Sequence, residues 1–434
     1  MRRACQFVLL GIATLLAPTG ARAQGVSFYT VVDLALRNST QVRISAADVQ
    51  RAEAAVMESV NAYKPAISVG SSLGYSYGFP VGQPSVYSVA AQSLAYSFSQ
   101  PDYIRAARAA LIGAQMQLKD TRQQVILDSA LDYIELATLS QQMTALDEET
   151  AFVHKLVEIE TERVDAGLDS KVEQTQARLT GAQIALRRLH LVDQAELVRA
   201  RLAHLTGLKP ADIVCESQTI PSAPETSELT GIDDNTGVKA AYASARSKLY
   251  VARGDERQNN HPTFGFGLEY NRFAKFNNYT EYYNHFQHNN FDIGIQINLP
   301  LFDATRKAKA KGSSAEAAHA SAQADQSRDQ TDEQMLQLQK NIAELTAQEQ
   351  VAELQNELSQ DQLDAITTQL QAGSPAPGGS AVLPKDEQGA HIRERTHFVD
   401  MLETRFELTQ ARLSLLRTVG RIEDWAKAIP APHP

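Results

Sequence analysis

Apolar positions along this chain follow two different periods, and the switches between them mark out its elements. From Asp102 to Ala166, Ile104, Leu111, Leu118, Val125, Leu139, Leu146 and Val153 share one seven-residue register that only Asp132 breaks. The stretch has no proline, and Gly113 is its only glycine. A heptad sustained this far predicts one α-helix with a narrow apolar seam that supercoils against neighbours. At 1.5 Å per residue it runs roughly 100 Å, far beyond the 8–20 residues of an ordinary globular helix. Shorter helices of the same kind are predicted for 31–62 (Leu34, Val42, Val49, Val56), 170–206 (Val172, Leu179, Leu186) and 393–428 (Leu408, Leu415, Ile422). A second very long helix is predicted for 305–372, ending at Gly373.

Between helices the period drops to two. Ile67, Val69, Leu73, Tyr75 and Tyr77 alternate with serine and glycine, and after a Gly/Pro turn Leu94, Tyr96 and Phe98 alternate with Ser93, Ala95, Ser97 and Ser99. Phe264, Phe266, Leu268 and Tyr270 alternate with Gly265, Gly267 and Glu269, and Phe291, Ile293, Ile295, Ile297 and Leu299 with Asp292, Gly294, Gln296 and Asn298. These are two hairpins, 66–99 and 263–299, each with an apolar and a polar face.

The two halves repeat. Asn38–Pro65 and Asn235–Pro262 have equal length, with Ala46, Ala55 and Gly70 matching Ala243, Ala252 and Gly267 at one offset. Gln176-Ala177-Arg178-Leu179 returns as Gln410-Ala411-Arg412-Leu413. Each half (24–208 and 232–429, joined by a polar connector 209–231) reads helix, hairpin, very long helix, turn, helix. The halves differ at 373–390, a Pro/Gly-rich insertion (SPAPGGSAVLPKDEQG) in the second, read as a loop; 430–434 is a short tail.

Four strands in two hairpins cannot stand alone as a soluble sheet, since their edges and aromatic faces would be bare. Apolar residues on one side and Gly/Ser/Asn/Gln on the other suit a lipid-facing barrel wall about a polar lumen. Four strands are too few to enclose a lumen, so the barrel must be shared, and three copies supply twelve strands. The fold class predicted is mostly α: antiparallel coiled-coil helices forming a trimeric α-barrel, with four strands per chain given to a shared twelve-stranded transmembrane β-barrel.

Composition narrows the function. Arg2 and Arg3, the apolar run Phe7–Ala17 and Ala21-Arg22-Ala23 make 1–23 a secretory signal peptide, too short in its apolar part for a membrane anchor. Loss of Arg2, Arg3 and Arg22 leaves 38 of the 41 basic residues against 51 acids, a net charge of −13, which argues against nucleic acid as a partner. Cys215 remains alone, so no internal disulfide forms. No Ser/His/Asp or Cys/His set, phosphate-cradling loop or zinc-spaced cysteine pattern occurs, so no enzyme activity and no cofactor are expected. Glu281, His285 and His288 in the loop 272–290 have metal-ligand chemistry, but their setting in a surface loop argues against a site, and no metal is expected.

With these pieces assembled, the chain resembles the TolC-like outer-membrane efflux protein family over essentially its whole mature length. The resemblance rests on the twofold repeat, on NSTQVRISAADVQRAEAAV…NAYKPAISVG, on YSFSQPDYIRAARAA and its echo INLPLFDATRKAKA, and on RVDAGLDSKVEQTQARL. It implies a homotrimer in outer-membrane lipid, extending into the periplasm as the exit duct of a tripartite efflux pump or type I secretion system. Its partners would be a periplasmic adaptor (membrane fusion protein) and an inner-membrane transporter. It further implies that Arg163, Gly167, Leu168 and Ser170, with Gly373 in the second half, face the adaptor at the helical tips. Asp400 and Glu403, in FVDMLE, would form acidic rings at the pore constriction. The insertion ahead of that motif departs from the family pattern and puts the second tip in question. A non-conducting periplasm-spanning scaffold or adhesin stalk is the alternative.

Overall fold

The computed structural model describes residues 25–72, 86–223, 231–273, 287–372 and 382–428. The signal segment 1–23, Leu73, Tyr75, Tyr77, Glu281, His285, Gly373, the first part of the insertion and the tail 430–434 lie outside the described residues. The elements are α1 (Phe28–Asn38), α2 (Thr40–Asn61), β1 (Ala66–Ser72), β2 (Val86–Ser97), α3 (Gln100–Asp165), α4 (Lys171–Thr206), α5 (Thr236–Asn260), β3 (Thr263–Phe273), β4 (Asn289–Asn298), α6 (Ala304–Ala372), α7 (Pro384–Val419) and α8 (Ile422–Lys427). Helices α3 and α6, of 66 and 69 residues, are each about 100 Å long at 1.5 Å per residue.

The four strands form one antiparallel sheet in the order β1-β2-β3-β4, so the two hairpins of the repeat join edge to edge through β2 and β3. The register aligns Val69, Val89, Tyr270 and Phe291 across the sheet, and Gly70, Ser88, Asn271 and Asn290 beside them. Because the side-chain period is two, this puts the apolar residues on one face and the polar ones on the other. The apolar face is bare within one chain: Ile67, Val69, Ile293 and Ile295 are 64–80% exposed. One expectation needs correction. Leu94 pairs with Gly265, on the polar side, whereas Tyr96 pairs with Phe264 on the apolar side. A register shift between Leu94 and Tyr96 inserts Ala95, and a single extra residue reverses the facing of everything beyond it.

Helix α3 is the spine. Near the sheet it packs between α2 and α5, and toward its far end between α4 and α7; α6 runs along α5 and then α7. The predicted heptad is the reason: Val125, Leu139, Leu146 and Val153 are all at most 5% exposed. Asp132, the break in that series, is also buried, and Arg201 of α4 meets it at 3.4 Å. Midway along, Phe28 of α1 packs edge-on against Tyr133 of α3 and Trp425 of α8, in the largest hydrophobic cluster of the described residues, with Ile126, Leu202, Leu413 and Ile422.

Three boundaries differ from the sequence reading. The helix predicted for 31–62 is two helices, because Ser39 takes ψ 126° and turns the chain between α1 and α2. The last helix begins at Pro384, nine residues before the predicted Arg393. Proline is well placed there, where no intrahelical N–H donor is needed, and Asp386 Oδ2 accepts from the Leu383 N–H at 2.8 Å. It also stops at Val419 instead of running to 428. Gly420 takes φ +84°, and a Cβ there would stand 2.5 Å from the Asp234 carbonyl oxygen. No helix among the described residues is long and apolar enough to cross a membrane.

Candidate functional site: the far tip and the acidic stretch of α7

The end of α3 and α4 farthest from the sheet is a tight turn. Gly167 takes φ +72°, a left-handed conformation that glycine adopts at no steric cost, with nothing within 4 Å of where a Cβ would stand. The Leu168 N–H returns to the Arg163 carbonyl at 2.8 Å. Ser170 opens α4, and its N–H donates to Glu173 Oε2 at 2.9 Å. The Arg163 guanidinium is not directed to solvent: it forks onto Asp169, Nε at 2.5 Å and a terminal nitrogen at 3.1 Å. Leu168, 67% exposed, projects from the tip. Arg163, Gly167, Leu168 and Ser170 therefore share one turn.

The sequence reading missed the residue that ties this turn to the rest. Lys385, in the segment expected to be an insertion, is the second residue of α7. Its Nζ lies 2.8 Å from Asp169 Oδ2, 3.4 Å from Glu160 Oε1 and 3.5 Å from Glu173 Oε1. Hydrogen bonds from Arg163 and then Lys385 hold the Asp169 carboxyl far below the usual range, and the bond to Asp169 raises the Lys385 ammonium above its own. One detectable signal was the sequence Pro-Lys-Asp-Glu at 384–387, a helix start with acids in its first turn.

Asp400 lies sixteen residues into α7, about 24 Å from its start, and well away from the turn. It accepts from Arg187 of α4 at 2.8 Å, an ion pair half open to solvent. Glu403, one turn on, is exposed and makes no hydrogen bond or ion pair among the described residues. Beneath this pair Glu149 of α3 is buried and accepts from Thr396 at 3.0 Å. Burial raises its pKa, a change that Thr396 and Arg187 partly offset. His288 sits beside the Phe273 carbonyl, Nδ1 to O 3.2 Å.

A second charged cluster lies where the sheet meets the helices. Asp102 of α3 and Asp255 of α5, both with side chains 1% exposed, are met by Arg105 and Arg257 and by Lys309 respectively. Tyr103 donates to Asp255 at 2.6 Å, and Ser313 of α6 also donates to it.

No family model matches the chain, and no curated protein sequence does. Solved structures do. VceC, an outer membrane protein of Vibrio cholerae, superposes with a TM-score of 0.74 at 17% identity, over 91% of this chain and 96% of that one. The CmeC outer membrane channel of Campylobacter jejuni gives 0.76 at 13% identity, over 91% and 86%. The open state of the MtrE outer membrane channel of Neisseria gonorrhoeae gives 0.71 at 14%, over 91% and 89%. The chain has the fold of these outer-membrane proteins along nearly its whole length.

Proposed function

We propose that the chain is one protomer of a homotrimeric outer-membrane exit duct, passively conducting substrates delivered through a periplasmic adaptor by an inner-membrane transporter, in drug efflux or type I secretion. The observation that carries this reading is a set of unpartnered surfaces with the geometry of a closed ring. The sheet leaves β1 and β4 as open edges. Its bare apolar face fits lipid and its polar face a wet lumen. Among the helices, α6 packs along neither α2 nor α4, so the curved layer also ends in two free edges. One edge, α4, exposes the heptad Val172, Leu179 and Leu186, at 55–72%. The other, α6, exposes Val351, Leu354 and Leu358, at 54–64%. Counted from their tip ends at 1.5 Å per residue, Leu186 and Leu358 both lie roughly 20–25 Å up. A cyclic trimer sets one stripe against the other and closes barrel and helices together. The fold shared with outer-membrane channels supports this reading and the location it implies.

In the duct the turn of Arg163, Gly167, Leu168 and Ser170, with Gly373 in the other half, is the adaptor-facing tip. Asp400 and Glu403 contribute acidic rings that select cations at the constriction, held while Arg187 restrains Asp400. The experiment is single-channel conductance of the extracted oligomer in a planar bilayer, wild type against Asp400→Ala/Glu403→Ala. Small cation-selective openings that enlarge in the double variant are expected. Unchanged conductance would take those residues out of the constriction, and a membrane-inserted oligomer without conductance would overturn the duct.

A further inference from the structure

Glu160, Asp169 and Glu173 do more than shape the tip. One carboxylate oxygen from each lies within 4.8 Å of the others, a grouping close enough to hold one metal ion. Oxygens on opposite sides of a calcium ion, at about 2.3–2.6 Å each, are at most about 5 Å apart. The three come from the end of α3, the turn and the first turn of α4, so local backbone geometry presets their spacing. Glu160 is only 5% exposed, and its Oε2 has no hydrogen-bond partner. A buried carboxylate oxygen without a donor is costly, and an ammonium at 3.4 Å from the other oxygen leaves that cost standing. Glu173, about half exposed, leaves a way in from solvent.

We propose that these three carboxylates form a divalent-cation site of calcium type, which Lys385 fills as a tethered cation, and that Ca²⁺ competes with Lys385 for it. Charge favours the exchange: three carboxylates against Lys385 and Arg163 leave one negative charge unbalanced, whereas Ca²⁺ with Arg163 balances all three. Oxygen ligands, three of them anionic, suit a hard cation better than a softer one. On exchange Lys385 moves to solvent and α7 loses its ion pairs to the α3–α4 turn. The first turn of α7 is then tied to the tip when calcium is scarce and released when it is abundant, up to the Phe152–His391 stack that holds α7 further along. All the groups belong to one chain, so the site stands or falls separately from the duct.

The test is calorimetric titration of Ca²⁺ into the full-length protein in detergent, with circular dichroism to confirm folding of each variant. Lys385→Met should bind Ca²⁺ at least tenfold more tightly than wild type, and adding Glu160→Gln should abolish that gain. Equal affinity in wild type and K385M, or a gain that survives E160Q, overturns the site. Should K385M not fold, hydrogen exchange on wild type decides: Ca²⁺ should speed exchange over residues 384–392, and E160Q with Lys385 in place should remove the response. A response that is absent in wild type, or that persists in E160Q, overturns the proposal equally.

Discussion

The two ends of this helical layer are both held by carboxylates and cations, but they are built differently. At the sheet end, Asp102 and Asp255 are sealed from solvent and each meets more than one donor, from α3, α5 and α6. Buried charge needs such partners, although Asp102 Oδ2 has the Arg257 ion pair without a hydrogen bond, and it fixes the geometry of the groups around it. At the far tip the first turn of α7 is tied to the α3–α4 turn by ion pairs of the single ammonium of Lys385, on carboxylates of which one is half exposed, with the Phe152–His391 stack about two turns further up. A cluster that water reaches from one side is screened more than a sealed one, and its pairs are individually weaker. The sheet end is therefore a rivet and the tip a clasp, so a layer fixed at the sheet can part at its far end.

That contrast is broken most directly at the rivet. Burial alone would raise the Asp255 pKa, but hydrogen bonds from Ser313, Tyr103 and Lys309 more than offset it, so the group stays ionised. Charge-assisted hydrogen bonds contribute about 1.5–3 kcal/mol each and do not add fully. Asp255→Ala should therefore cost about 3 kcal/mol, read as a large drop in the thermal midpoint of the solubilised protein at pH 7. A loss under about 1 kcal/mol would mean that hydrophobic packing alone sets the junction.

Between rivet and clasp lies a carboxylate with the opposite bias. Burial pushes Asp132 up to about 6, Arg201 lowering it only in part. A carboxyl that binds its proton more tightly folded than unfolded adds stability at low pH. That contribution fades as pH rises from the ordinary aspartate range to about 6, and above 6 the buried charge is a burden. Asp132→Asn should accordingly stabilise the protein by about 1–2 kcal/mol at pH 7.5, less than the raised pKa alone implies because Arg201 loses one of its two carboxylate partners and keeps Glu135. At pH 4 it should change little. Equal effects in thermal melts at both pH values would place the cause in packing instead of charge.

Much of this architecture was legible beforehand, because it rests on periodicity. From Val125 on, the heptad that predicted α3 is the one its packing buries, while nearer the sheet Ala106, Ala109 and Gly113 are buried in place of Ile104, Leu111 and Leu118. The alternation in the strands is the one the sheet displays on its faces, apart from the shift at Ala95. What escaped was set by single residues. Ala95 shifts the register and puts Leu94 on the polar side, Ser39 divides a helix where the repeat slips by one residue between Leu34 and Val42, and Gly420 ends another. Lys385 escaped because a Pro/Gly-rich stretch reads as loop, while its role depends on three acids more than 200 residues away. Asp400 and Glu403 were singled out through a family motif. Their distance from the start of α7, about 24 Å for Asp400 and about 28 Å for Glu403, is something only the position of Pro384 reveals.

The smallest expected effect is at the clasp, and its smallness is the point. Lys385→Ala removes the one cation among the described residues by which α7 reaches the three carboxylates. Yet Glu173 is open to water, and Arg163 still holds Asp169 by two hydrogen bonds. Glu160 is left buried without its cation, but water entering beside Glu173 can reach it, so the loss in global stability should be about 1 kcal/mol, with only a small drop in the thermal midpoint. Local opening should change far more: amide exchange over the first turns of α7 should accelerate while that around Asp255 does not. If Lys385→Ala instead lowered the thermal midpoint as far as Asp255→Ala, both ends would be rivets. A duct of this chain would then need some other element to part.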